Sequence, residues 1–304
     1  MPVRRTVPVS ETEHLPWIPP NFLALPAENS GLDEARAVLI PVPYDSTTSF
    51  RGGARNGPAA LIEASYGLED YDHELDLDVS LIGIHTTQAL EPHMGGPADM
   101  VKRVRAAVAG YTSPGRVVGV LGGEHSVCVG SVQANLEVYP DISVLYIDAH
   151  ADLRNEYMGT PWGHASGARR IHEMCPLVLV GVRSLCQEER DYINANSVPT
   201  FYWPPSCDDQ ELIEDIVKQL GPTVYVSVDL DALDPSLMAA VGTPEPGGLG
   251  WYQLVSLLRR IAETKRIVGF DITELSPAEG PRACSYTAAK LVYKLVGYST
   301  SFGR

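Results

Sequence analysis

Four short stretches carry side chains that could bind metal ions or move protons. SVLYIDAHADLR (143–154) sets Asp148, His150 and Asp152 at every other position behind an apolar run. VSVDLDALDP (226–235) does the same with Asp229 and Asp231, followed by Asp234. GGEHS (122–126) carries His125, and FDITELSP (270–277) carries Asp271 and Glu274. Residues i and i+2 on a strand face the same side. Asp148 and His150 therefore aim at one point, as do Asp229 and Asp231, and Asp152 can curl back over it. With His125 these make six candidate ligands, four carboxylates and two imidazoles. Four crowded carboxylates without cations repel and take up protons. Two divalent cations cancel their charge, and a pair of metals roughly 3.5 Å apart, bridged by carboxylates and a water, is a hydrolytic arrangement. The oxygen-rich donor set favours Mn²⁺, with Zn²⁺ and Co²⁺ able to compete.

Each piece has a plainer explanation when taken alone. A DxHxD can be a strand end with solvated acids, and a DxD before a proline is ordinary turn chemistry. GGEHS can be a helix entrance with Glu124 set against the helix dipole. Their joint occurrence at the ends of separate strands weighs against all three.

The elements that must position these residues follow from the apolar pattern. Eight β-branched, near-continuously apolar runs lie at 37–43, 79–85, 117–122, 143–148, 177–182, 199–203, 223–229 and 266–272. Such runs suit strands covered on both faces. Helical patterns lie between most of them, at 98–111, 209–221, 251–265 and 286–298. The segment 251–265 is amphipathic, with Leu254, Leu257, Leu258 and Ile261 on one face. Asp208 or Asp209 can cap the helix at 209–221, and Gly221-Pro222 ends it. Strand–helix alternation implies a parallel sheet between two helical layers. The expected fold is therefore an α/β three-layer αβα sandwich with an eight-stranded parallel sheet. It would be built as one domain over residues 1–304, with an irregular arm at 1–30. In open parallel sheets ligands sit outside the carboxyl ends of the strands, where four of the eight runs end in metal-ligand chemistry.

Composition narrows the function classes. The chain has 304 residues and a formal net charge of −15. An acidic surface repels nucleic acid and anionic membrane, so neither is an expected partner. Five cysteines without a CxxC pair fit a reduced cytoplasmic setting better than a disulfide framework. The first residues contain no apolar signal core, and no apolar run reaches the length of a membrane span.

GGEHS, DAHAD, the following His164, SVDLDALDP and the late Glu274 together resemble the ureohydrolases, the arginases, agmatinases and their relatives. PYDSTTSFRGGARNGPAALIEAS (43–65) and GTPEPGGL (242–249) look most like agmatinase. The resemblance runs from about residue 37 to the last helix. It implies a two-manganese site at the strand ends, with His125 and Asp152 on the first ion, His150 and Asp231 on the second, and Asp148 and Asp229 bridging both. Glu124 stands where many members have Asp and is not a ligand in the family. The reaction implied is hydrolysis of a guanidino group to urea and an amine. Glu274 would pair with the guanidinium, Asp152 would pass a proton to the leaving amine, and His164 would act as proton shuttle.

The loop LRNEYMGTPWGH (153–164) lacks the hydroxyl- and amide-rich pattern with which arginases hold an α-amino acid. The expected substrate is therefore agmatine, a small cationic guanidino compound that suits an acidic protein. Guanidinobutyrate, guanidinopropionate, arginine and formimidoylglutamate stand as alternatives, with Arg154 a possible carboxylate partner. One-zinc deacylases of the same fold lack the full ligand set. A non-catalytic homologue would not need all six ligands together with His164 and Glu274. The family implies a homo-oligomer, trimer or hexamer.

Overall fold

The computed structural model describes residues 17–302. Eight strands form the main sheet: β1 (Ala37–Val42), β2 (Ile84–Thr86), β3 (Val117–Gly122), β4 (Ser143–Ile147), β5 (Leu177–Val182), β6 (Thr200–Tyr202), β7 (Thr223–Asp229) and β8 (Arg266–Thr273). Every pairing is parallel, and the order across the sheet is β2-β1-β3-β8-β7-β4-β5-β6. The last strand in the chain thus lies at the centre, between β3 and β7.

The apolar runs form strands because both faces are covered. Alternate residues of each strand enter different clusters: Leu145 and Ile147 face one core, Val144 and Tyr146 the other. On the first face lie α7 (Trp251–Thr264) and α8 (Ala283–Ser301), whose buried Leu254, Leu258, Leu291 and Val292 join the β-strand side chains. Each such burial contributes about 1.5–3 kcal/mol. On the other face lie α2 (Pro97–Ala109) and α3 (Cys128–Val138), with Met100, Val104, Val129 and Val132 packed inward. The amphipathic stripe expected at 251–265 is the buried face of α7. Asp208 caps α6 (Asp209–Gln219) by accepting from the Glu211 N–H at 3.0 Å.

One expectation needs correction. The run at 79–85 is not one strand: Val79–Ile82 is a 3₁₀ turn capped by Asp78, and only Ile84–Thr86 joins the sheet. Gly83 separates the two with φ of +84°, a left-handed value that ends one element and re-aims the next. The arm expected at 1–30 is described only from residue 17. Residues 1–16 lie outside the described residues, but Phe22–Ala24 forms a turn that buries Phe22 and Leu23, and Ala27–Ser30 forms one helical turn. Among the described residues no helix is long and apolar enough to cross a membrane.

Candidate active site

The carboxyl ends of the four central strands, β3, β8, β7 and β4, bring the sequence motifs together. After β3 the chain turns through Gly123 and Glu124 into a 3₁₀ turn, His125–Val127, that opens α3. Gly123 allows that turn, because a Cβ there would stand 2.1 Å from the Tyr44 carbonyl oxygen. His125 is buried, its Nδ1 2.9 Å from Asp148 Oδ2 and 3.2 Å from Asp229 Oδ2. β4 ends at Ile147, the chain bends at Ala149, and an isolated bridge from His150 to Ser184 holds the segment beside β5, with Asp148 and His150 both brought to Asp231 and to each other. His150 Nδ1 lies 3.0 Å from Asp231 Oδ2 and 3.5 Å from Asp148 Oδ1.

Asp229 and Asp231 converge differently from the strand expectation. Leu230–Ala232 is a 3₁₀ turn, and Asp229 caps it by accepting the Asp231 N–H at 2.8 Å. Asp152 adopts a left-handed φ of +50° that swings its carboxylate back, to 3.7 Å from His125 Nδ1. The donor atoms form two groups, His125–Asp148–Asp229 and Asp148–His150–Asp231, each within 4.8 Å throughout. Asp148 belongs to both.

The donor chemistry fits a pair of divalent cations. Asp148, Asp152, Asp229 and Asp231 are all buried. Burial, and then the charge of Asp148, pushes the Asp152 carboxyl well above the usual range. Burial followed by the charges of Asp231 and Asp148 does the same to Asp229. Burial also opposes the charge on Asp148, but hydrogen bonds from His125 and His150 outweigh it and hold its carboxyl low. Acids in this state accept cations in place of protons.

A supporting layer lies beneath. His125 Nε2 is 2.8 Å from Ser227 Oγ, and the Ser227 hydroxyl donates to Asp271 at 2.9 Å. Tyr225 donates to the other Asp271 oxygen at 2.9 Å. Tyr146 stacks on the His125 ring at 4.4 Å and donates to Asp152 at 2.8 Å. Such partners fix ring orientation and ligand basicity.

Glu274 and His164 line a cavity of about 220 Å³ that opens onto the two groups. Glu274 follows β8 with φ of +67°, and its Oε1 accepts the His125 N–H at 2.7 Å. Its Oε2 lies beside Gly242, 4.0 Å from where a Cβ would stand. Burial pushes the carboxyl up to about 8, and the Glu124 charge adds to this. The His164 Nδ1 is 3.2 Å from Thr47 Oγ1, and its Nε2 is 3.3 Å from Ser49 Oγ. Burial lowers the imidazole to about 4, with the His150 charge assisting.

Glu124, buried and off the ligand set, accepts from the Thr47 N–H at 2.6 Å and from the Thr47 hydroxyl at 2.8 Å. It thereby ties the 45–51 loop, and through Thr47 also His164, to the strand end. Arg154 lines the cavity and stacks 4.6 Å over Tyr157. Asp234 lies outside, holding a turn at Ser236. Thr47, Ser49, Ser227 and Tyr146 escaped the sequence reading. The hydroxyl-rich stretch DSTTS (45–49) was the available signal for the first two.

The chain as a whole is similar to known proteins. The model of the Arginase family matches residues 35–297. The chain is 38% identical to an N(1)-aminopropylagmatine ureohydrolase of a Synechocystis species, over 92% of this chain and 94% of that one. It is 41% identical to the protein of that name from Thermus thermophilus, over 87% and 90%. The structure of an agmatine ureohydrolase of Thermoplasma volcanium superposes with a TM-score of 0.85 at 29% identity, covering 96% of this chain and 98% of the other. The chain belongs to the arginase family, whose members depend on two metal ions. It is a hydrolase of the guanidino-cleaving, agmatinase-like kind.

Proposed function

We propose that this enzyme hydrolyses agmatine to urea and putrescine, with two Mn²⁺ per chain. The observation that carries the reading is the pair of overlapping ligand groups sharing Asp148, beneath a cavity that also presents Glu274 and His164. Asp148, Asp152, Asp229 and Asp231 with His125 and His150 would hold the metals, as the donor set supports. Bound there, divalent cations supply Lewis acidity and make water acidic enough to attack at neutral pH.

The remaining work falls to the chain itself. Glu274, held through Oε1 by the His125 N–H, offers Oε2 to the guanidinium and orients its trigonal carbon. Water adds to that carbon and the bond to the alkyl nitrogen breaks, giving urea and a free amine. Asp152, paired with Tyr146, holds the proton released by the water and returns it to the departing nitrogen. His164 is neutral near pH 7 and sits in a hydroxyl chain with Thr47 and Ser49, suited to carrying a proton between the cavity and solvent. The same reading includes one domain, a cytoplasmic setting and assembly as a trimer or hexamer.

A second substrate is favoured by a specific observation: two relatives at 38% and 41% identity are named for N(1)-aminopropylagmatine. That compound presents the same guanidinium on a longer, more cationic tail. Urea release measured with the Mn²⁺-loaded enzyme separates the cases. Assays should compare agmatine, N(1)-aminopropylagmatine, arginine, guanidinobutyrate, guanidinopropionate and formimidoylglutamate. Highest kcat/KM with agmatine supports the proposal; a higher value with the aminopropyl compound selects the second reading. Turnover of the carboxylate substrates alone overturns both.

A further inference from the structure

The opposite ends of three adjacent strands carry a different chemistry. β1, β3 and β8 are neighbours in the sheet. Each begins at an arginine: Arg36 precedes Ala37, Arg116 precedes Val117, and Arg266 opens β8. Ala37 and Val117 are register partners, so Arg36 and Arg116 leave the sheet side by side. The three arginines line one cavity of about 350 Å³ with Tyr139, Ser299 and Thr300. It lies at the end of the sheet away from the strand ends that carry the ligand groups.

Three features point to a ligand. Among the described residues no carboxylate lines this cavity, in a chain with 38 acids against 23 lysines and arginines. None of the three guanidinium groups forms an ion pair among the described residues. Arg36 donates through Nη2 to the Thr300 carbonyl, and Arg116 through Nε and Nη2 to the carbonyls of Ala35 and Leu32. Arg266 lies 5.4 Å over the Tyr139 ring. These contacts hold the heads in place while using only some of their N–H groups, since each guanidinium carries five. The third feature is Ser299, whose Oγ is buried without a hydrogen-bond partner among the described residues.

We infer that this cavity is an anion site for a multivalent oxyanion, of the phosphoryl or dicarboxylate type. Like-charged guanidinium groups repel one another, and an oxyanion relieves that repulsion while accepting their paired donors.

The test uses the full-length, metal-loaded protein. Sulfate and succinate are titrated at constant ionic strength against a chloride background, read by calorimetry and by Tm. One sulfate or succinate per chain is expected to bind saturably, with affinity falling as chloride is raised. Whichever probe binds tighter identifies the ligand type. Arg266→Gln and Arg36→Gln should each weaken binding by about tenfold or more, the equivalent of about 1.4 kcal/mol, while urea release without added anion stays at the wild-type rate. Arg36 also caps the end of α8, so Arg266→Gln carries the test if Arg36→Gln lowers stability in chloride. The inference is overturned if neither probe saturates. Equal affinity in wild type and Arg266→Gln, or the same Tm rise in both, also overturns it, since sulfate stabilises proteins non-specifically through exclusion from their surface.

Discussion

Replacing Glu274 by Gln isolates the substrate-binding charge from the architecture that holds it. Glu274 is 8% exposed, and its Oε1 accepts the His125 N–H at 2.7 Å. A Gln amide oxygen can keep that acceptor role in nearly the same volume, so His125 and the ligand groups stay in place. Burial favours the protonated carboxyl in the bare site and a guanidinium beside it favours the charged form, so what Gln cannot supply is the negative charge induced on binding. Two charge-assisted hydrogen bonds at about 1.5–2 kcal/mol each come to about 3–4 kcal/mol. At 1.36 kcal/mol per decade this is roughly a 10²–10³-fold fall in kcat/KM. The assay is urea release across substrate concentration with the Mn²⁺-loaded variant, beside elemental analysis of the same preparation. Metal content should stay at the wild-type value. A kcat/KM within threefold of wild type refutes the guanidinium contact. Loss of metal in step with activity refutes the separation of substrate binding from metal support.

Other perturbations probe the layers around that contact. Asp148→Ala and Asp229→Ala should lose bound metal and urea release together, since each removes an acid from the first group; full activity after chelation and dialysis would contradict the two-metal site. Ser227→Ala takes the partner from His125 Nε2 and leaves a buried Asp271 oxygen without its donor. Metal affinity should fall about 10–100-fold in a competition with a coloured chelator, and unchanged affinity would remove Ser227 from the supporting layer. For the metal-free protein, the His164 imidazole is held at about 4, below its free value of 6.5. The unfolded chain therefore takes up this proton first, so stability falls as pH drops from about 6.5 toward 4 and then levels. His164→Gln should flatten that part of the Tm–pH curve; a superimposable curve would assign the acid sensitivity elsewhere.

The parts of this molecule that were legible in its sequence are those encoded by local periodicity. Buried parallel strands read as apolar runs, and the spacing of Asp148 and His150 pointed to their convergence, although the chain bends at Ala149 between them. Composition misled at Val79–Ile82, where apolar β-branched residues form a turn, because Asp78 caps it and Gly83 redirects the chain. The supporting layer was hidden for another reason. Ser227 is the register partner of both Tyr146 on β4 and Asp271 on β8, so three residues far apart in the chain form one transverse row under His125. Nothing in the spacing of a single strand specifies which neighbour it will pair with, or in what register. The Glu124–Thr47–His164 chain is hidden in the same way, since it joins segments 77 and 117 residues apart.

The central position of β8 bears on how the enzyme comes to be made. A chain emerging from the ribosome has all six proposed ligands by residue 231, yet β3 and β7 cannot take their final spacing until the segment from Arg266 to Thr273 slides in between them. Until then both carry raw edges open to wrong partners, and His125 stands apart from Asp229. The His125–Asp148–Asp229 group therefore cannot close before Thr273 is made, whereas Asp148, His150 and Asp231, on the adjacent β4 and β7, need no later strand between them.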